Sequence, residues 1–366
     1  VPSVIVCGAG VFGAATARRL AHAGWDVTLV EPVAPGHVRA GSGGESRLIR
    51  CSHGADEWHS RSARRALELW REIDPGLVVD AGVAWFARRE DGWEAQSEAT
   101  LRELGIDCER VDAAALFPSV RTDDLAFTLF EPGAGLLRAR DATRTLAMQA
   151  VEAGARMVHA VAQPDGERVV AGEEVLEADH VVWACGAWLP ALFGDLVSLR
   201  ITQQDVLFFG GGAEWATPGV PGWVDYDGAF YGCGDLDGRG VKISPDVEGP
   251  PIDPGTANRI VRRESTMAAR EYIASRFPAL AGAPLVGTRV CQYEITPDTR
   301  FVIAPHPEHR SVWLFGGGSG HGFKHGPVLA ERMEAWLTGA EPPEPMFALG
   351  DRVPATALRT AGEASG

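Results

Sequence analysis

Gly8-Ala9-Gly10-Val11-Phe12-Gly13 constrains this chain more than any other stretch. It follows a short apolar run, Ser3 to Cys7, which reads as a buried strand. Ala14 to Ala23 then has helical spacing, Gly24 ends that helix, and Asp26 to Val30 forms a second strand closing on Glu31. Strand, glycine turn, helix and strand together make a βαβ unit with the dinucleotide fingerprint. Gly8, Gly10 and Gly13 permit the tight turn and the close approach of backbone N–H groups to a pyrophosphate. The helix start adds its positive end. Glu31 stands where an acid binds ribose hydroxyls. A glycine turn alone is weak evidence for a nucleotide, and the complete unit is strong.

Two later stretches have the same character. Val181 to Ala184 is an apolar strand running into Gly186-Ala187-Trp188, a turn placed to meet a dinucleotide from the opposite side. Val312 to Phe315 enters Gly316-Gly317-Gly318-Ser319-Gly320-His321-Gly322, followed by a helix over 326–338. Helices are expected at 60–73, 94–105, 141–153 and 256–276, and residues 200–300 read as β-rich. The expected fold class is mixed α/β. A discontinuous Rossmann-type cofactor domain (1–80, 137–199 and 300–345) holds a β-rich substrate domain inserted in two parts (81–136 and 200–299). A C-terminal tail follows over 346–366, polar and loose after 350.

Composition excludes some functions. The formal net charge of −15 argues against a nucleic-acid partner. The cluster Arg39, Arg47, Arg50, Arg61, Arg64 and Arg65 reads as helix surface plus a local anion site, with Arg47 one helical turn before Arg50. No segment is apolar over a membrane-spanning length, so no membrane partner is expected. The start shows no signal-peptide pattern, and the six cysteines show neither a CxxC pair nor metal spacing. The expectation is a cytoplasmic chain with reduced thiols and no metal. Of 34 basic residues only Lys242 and Lys324 are lysines, and both fall in Gly-rich segments. A compact ammonium and a planar guanidinium serve different sites, so this placement suggests chemistry.

With these motifs in place, the chain resembles the monomeric sarcosine oxidase family, within the wider group of FAD-dependent amino-acid oxidases. The resemblance runs over roughly residues 3 to 345. Its most specific blocks are Gly41-Ser42 with Arg47-Leu48-Ile49-Arg50, Val182 to Trp188, Cys291-Gln292-Tyr293 with Thr296-Pro297-Asp298, and Phe301 to Pro327. It implies FAD as cofactor, held by Gly8, Gly10, Gly13, Glu31, Ser42, Arg47, Gly186, Trp188, Gly318, Gly320, His321, Gly322 and Lys324. Cys291 is implied to carry FAD covalently, through a thioether to the 8α-methyl. By its residue type alone, Cys291 is only a candidate, since a lone Cys is usually a small core residue.

The resemblance also implies roles in catalysis. Lys242 falls on the family's lysine near flavin N5, where a fixed cation assists O2 reduction to H2O2. Arg50 and Lys324 align with the clamp on the substrate carboxylate. Tyr231 and Tyr293 align with active-site tyrosines, though either type also serves as a core aromatic. His321 reads as a hydrogen-bonding partner or a packed imidazole. The implied protein is a monomer acting on a small amino acid or imino acid.

Two departures bear on the substrate. Sarcosine enzymes have a histidine where this chain has Asp246, and their His-His pair is reduced to Gly43 before Gly44-Glu45-Ser46-Arg47. An acid at 246 attracts an amine cation or a ring N–H. It is similar to family members that oxidise cyclic imino acids during antibiotic biosynthesis, which would place this chain in secondary metabolism. The expected reaction is oxidation of the C–N bond of a secondary or cyclic amino acid. The rival readings are a dehydrogenase serving another acceptor, a glycine or D-amino-acid oxidase, and a non-catalytic or NAD-binding Rossmann protein.

Overall fold

Strand Ser3–Cys7 lies near the middle of a six-stranded sheet, because Val4 to Cys7 are apolar on both faces and both faces are covered. Across the sheet the strands run Val302–Pro305, Val312–Gly316, His180–Trp183, Ser3–Cys7, Asp26–Val30 and Arg156–Val158. All pairings are parallel except that of Val302–Pro305 with Val312–Gly316. The computed structural model describes residues 1–354.

Helix Val11–His22 packs between this sheet and helices Ala139–Glu152 and Gly326–Leu337. Ala14, Ala15, Ala17 and Ala21 are buried there, and their small side chains let the helices approach closely. Phe12 stacks on Phe315 with centroids 4.6 Å apart, locking the first glycine turn to the last strand of the sheet.

A second sheet of eight strands holds both stretches expected to be inserted. Its order is Leu285–Ile295, Arg200–Phe209, Val241–Pro245, Phe230–Cys233, Gly222–Asp225, Val83–Ala87, Phe127–Glu131 and Glu109–Val111. The seam between the two stretches is the parallel pair Gly222–Asp225 and Val83–Ala87. The long pair Arg200–Phe209 and Leu285–Ile295 sets Gln204 opposite Cys291 and Thr202 opposite Tyr293. Cys291 and Tyr293 are two apart on one strand and so share a face. Helix Arg263–Arg276 covers the other side through Ala269, Tyr272 and Ile273, packed with Trp223 and Phe277.

The mixed α/β class agrees with expectation, and two local expectations fail. Arg47 lies in a strand, Ser46–Ile49, paired with Gly135–Arg138, so no helical turn links it to Arg50. The helix expected at 256–276 begins only at Arg263. Before it, Asp253 accepts from Gly255 N and Thr256 Oγ1, a local turn that competes with helix. The tail is anchored at its start. Phe347 is fully buried, and Arg352 donates to the Asp298 carboxylate and to the Phe301 and Ala348 carbonyls. Residues 355–366 of the expected tail lie outside the described residues.

Candidate active site

A cavity of about 560 Å³ opens where the three glycine turns meet. One end is formed by Glu31, Pro32, Val33 and the stretch Val161 to Gln163, the other by Cys291 to Glu294 with Gly318, Gly320, Gly322 and Phe323. Gly8, Gly10, Ser42, Arg47, Gly186 and Trp188 line the space between.

The first turn explains its own sequence. Gly8 has φ +99, and a Cβ there would lie 2.6 Å from the Ala184 carbonyl oxygen. Only glycine combines that conformation with that approach. Gly13 does not face the cavity. A Cβ on it would lie 1.9 Å from the Gly8 carbonyl, so its role is to let helix and turn touch. Gly10 caps the helix with no side-chain hydrogen bond, and no acid sits in the first turn. The positive helix end is therefore left for a ligand. Glu31 accepts from Ala9 N at 3.0 Å and Val33 N at 3.1 Å, and Ser42 Oγ accepts from Val11 N at 2.9 Å.

The far end holds groups that the sequence did not single out. Glu294 is half-buried on the cavity wall, and burial pushes its carboxyl up to about 7 although Gly318 N donates to it. Its Oε2 and the amide nitrogen of Gln292 have no hydrogen-bond partner among the described residues. Buried polar atoms left this way call for a ligand that hydrogen bonds. Arg47 is held by the Ser46 carbonyl at 2.7 Å and the Gly41 carbonyl at 2.6 Å, with its guanidinium 3.7 Å from Cys291 Sγ. A long, glycine-lined cavity with a ribose-type acid at one end and unsatisfied donors and acceptors at the other fits FAD.

A second cavity of about 80 Å³ adjoins the first and shares Arg47, Cys291, Tyr293, Gly320 and Phe323 with it. Arg50, Tyr231, Asp246, His321 and Lys324 line this one alone among the expected residues, so His321 and Lys324 face the smaller space. Arg50 sits over the Trp85 ring at 4.9 Å and donates to the Ser52 carbonyl. Lys324 is buried and donates to the His321 carbonyl at 2.9 Å. Burial first, and then Arg50, hold its pKa well below the ordinary lysine value. On another wall Tyr293 donates to the Asp246 carboxylate at 3.3 Å.

Lys242 is buried but lines neither cavity. Its Nζ lies 3.4 Å from the Ser46 carbonyl and 4.8 Å from the centre of the Tyr231 ring. Tyr226 and Trp85 line the small cavity and were not foreseen. Three of the chain's four tyrosines (226, 231 and 293) thus lie there, while Tyr272 bonds Asp225 in the core. The departure at Gly43 has a steric cause: a Cβ there would lie 2.0 Å from the His37 carbonyl. Beside it Glu45 is held below the usual carboxylate range by its contacts with Arg289 and Arg140, although burial opposes them.

The model of the family described as FAD dependent oxidoreductase matches residues 3–336. A monomeric sarcosine oxidase of Streptomyces avermitilis is 30% identical over 351 residues, covering 90% of this chain and 91% of that protein. An N-methyl-L-tryptophan oxidase of Salmonella newport is 26% identical over 358 residues, covering 93% and 95%. The solved L-proline dehydrogenase of P. horikoshii superposes with a TM-score of 0.82 at 20% identity, covering 95% and 96%, a likeness of fold. The glycine-lined cavity and these matches along nearly the whole length place the chain in the FAD-dependent oxidoreductase family.

Proposed function

We propose that this chain oxidises the C–N bond of a secondary or cyclic amino acid, with FAD as electron acceptor and O2 as final oxidant. The observation that carries this reading is the pair of cationic residues, Arg50 and Lys324, on the wall of a small cavity that adjoins the FAD-sized one. Two cations in one small space repel and lose hydration, and a substrate carboxylate offsets both costs. Sarcosine and N-methyl-L-tryptophan, named for two relatives, are secondary amines that carry such a carboxylate.

Arg50 and Lys324 take the carboxylate. Lys324 has three donors and uses one on the His321 carbonyl. Asp246, steadied by the Tyr293 hydroxyl, accepts the N–H of a neutral substrate amine. Trp85, Tyr226 and Tyr231 wall the cavity and keep water from the reacting carbon. When bound, FAD supplies the two-electron acceptor for the hydride that leaves this carbon as C–N becomes C=N. The imine is then hydrolysed, or is oxidised again where it lies in a ring. Lys242, a buried cation beside Tyr231, stabilises the negative charge that builds on oxygen as it is reduced to H2O2.

FAD is held by the residues of the large cavity, and Cys291 Sγ carries it through a thioether. Residues 1–80, 137–199 and 300–345 act as the cofactor part and 81–136 with 200–299 as the substrate part, in a monomer working in the cytoplasm. Among the described residues no helix is long and apolar enough to cross a membrane.

The test is peroxide release with a panel of N-methyl amino acids, proline, pipecolate, unsaturated cyclic imino acids and their decarboxylated counterparts. Peroxide from one carboxylate-bearing class and none from its decarboxylated form is expected. Turnover only with an added quinone would replace the oxidase reading by a dehydrogenase. Equal turnover of decarboxylated amines would remove the carboxylate clamp. Acid precipitation that leaves the yellow colour in the supernatant would remove the thioether.

A further inference from the structure

Four histidines meet behind the small cavity. His53 follows strand Ser46–Ile49, and His59 lies in the first turns of helix Glu57–Ile73. His321 lies in the last glycine turn, and His325 ends the short turn before helix Gly326–Leu337. All four are buried. Their ring centres form a nearly regular tetrahedron, with the six edges running from 5.3 to 6.2 Å.

The hydrogen bonds fix what these rings present. His53 Nδ1 is 3.0 Å from the Cys51 carbonyl, His59 Nδ1 is 3.0 Å from Asp56 Oδ1, and His321 Nε2 is 2.8 Å from the Thr299 carbonyl. Those acceptors have no hydrogen to give, so these three ring nitrogens are the donors. His325 Nδ1 pairs with Ser62 Oγ at 2.8 Å. The remaining nitrogens, His53 Nε2, His59 Nε2, His321 Nδ1 and His325 Nε2, are buried without a hydrogen-bond partner among the described residues. In neutral rings the first three are bare lone pairs.

One ring nitrogen from each of His53, His321 and His325 lies within 4.8 Å of the others. A water has only two hydrogens to offer to such a set, whereas a cation satisfies every lone pair at once. Imidazole held by a carbonyl or carboxylate at its other nitrogen is also how metal-binding histidines are oriented.

We propose that His53, His321 and His325 bind a late first-row divalent cation of the zinc type, with the His59 ring packed against the site. Asp56 behind His59 and the buried Glu131, which accepts from Cys51 N and Ser52 N, supply nearby negative charge against Arg50 and Lys324. The ion ties the segment that carries Arg50 to the turn that carries Lys324. It positions the substrate clamp and takes no part in electron transfer. His321 and His325 stand four apart in the chain, but His53 joins them only through the fold, and the expectation of no metal rested on cysteine spacing. The site stands independently of the amine-oxidase reading.

The test is metal analysis of the tag-free, full-length flavoprotein, first as purified and then after dialysis against excess Zn²⁺ and gel filtration. The expected result is about one zinc per chain. A chelator that strips it should lower the melting temperature by several degrees, and added Zn²⁺ should restore it. The His53→Gln/His325→Gln double variant should retain less than about a tenth of an equivalent, as expected for a site without two of its ligands. Its visible flavin circular dichroism would show whether it is folded, and single His53→Gln serves if it is not. A wild-type protein without zinc after dialysis overturns the proposal, as does zinc retained undiminished by a folded variant.

Discussion

The large cavity is walled chiefly by backbone, glycines and small residues, while the small one is walled by Arg50, Trp85, Tyr226, Tyr231, Asp246 and Lys324. The first recognises its ligand by letting main chain come close, which demands residues with no side chain at fixed spacing. The second recognises by charge and ring faces, brought from strands and turns far apart in the chain. The large cavity tolerates little change in shape, and the small one tolerates little change in charge.

Gly8→Ala tests the first half of that contrast and should have the largest effect. The new methyl meets the Ala184 carbonyl at 2.6 Å in a left-handed backbone. Strain and overpacking together cost roughly 2–6 kcal/mol. The variant should purify without flavin, as absorbance will show. Normal flavin content would mean that the turn does not need close approach.

Lys324→Met tests the second half. It should keep its flavin and lose roughly 10²–10³-fold in kcat/KM for the carboxylate substrate, the range for breaking a buried charge contact. Loss of flavin instead would move Lys324 from the small cavity's chemistry to the large one's. Lys242→Met sharpens the point, since this lysine lines neither cavity. Reoxidation by O2 should slow by about 10²-fold, the scale of one electrostatic group, with anaerobic reduction nearly unchanged. Equal slowing of both half-reactions would make Lys242 a packing residue.

The smallest expected effect concerns Glu294. Its carboxyl is pushed up to about 7 by burial, above its value in the unfolded chain. The native state therefore holds a proton that the unfolded chain releases, and stability falls as pH rises from the ordinary glutamate range toward 7. The full penalty, roughly 3 kcal/mol, is present above that. Glu294→Gln removes it. The variant should melt about 2–4 °C higher than wild type at pH 8 and close to it at pH 5. The same difference at both pH values would show that Glu294 is already ionised.

The contrast between the cavities also explains what could be read from the residues alone. The βαβ unit was legible because Gly8, Gly10, Gly13 and Glu31 stand in one stretch whose spacing is a physical requirement. Arg50, Lys324, Asp246, Tyr231 and Tyr293 were found through resemblance, and the structure brings them to one small cavity. Tyr226 and Trp85 were missed, since a core aromatic and a site aromatic look alike in sequence. Glu294 stood one residue beyond Tyr293, where only its burial reveals it. Arg47 was misread because a three-residue spacing suits a helix, and the strand that holds it is defined by a partner over eighty residues away. The histidine cluster carried only the four-residue spacing of His321 and His325 as a local signal, because His53 meets them only through the fold.

The central claim is that a carboxylate-bearing secondary or cyclic amine reaches FAD through the small cavity. Anaerobic titration of the purified flavoprotein tests it most directly. Bleaching of the flavin band near about 450 nm by one class of N-alkyl or cyclic amino acids, and not by the same amines without their carboxylate, is the predicted result. A protein that holds flavin but is bleached by no carboxylate-bearing amine, or equally well by the decarboxylated ones, would contradict it.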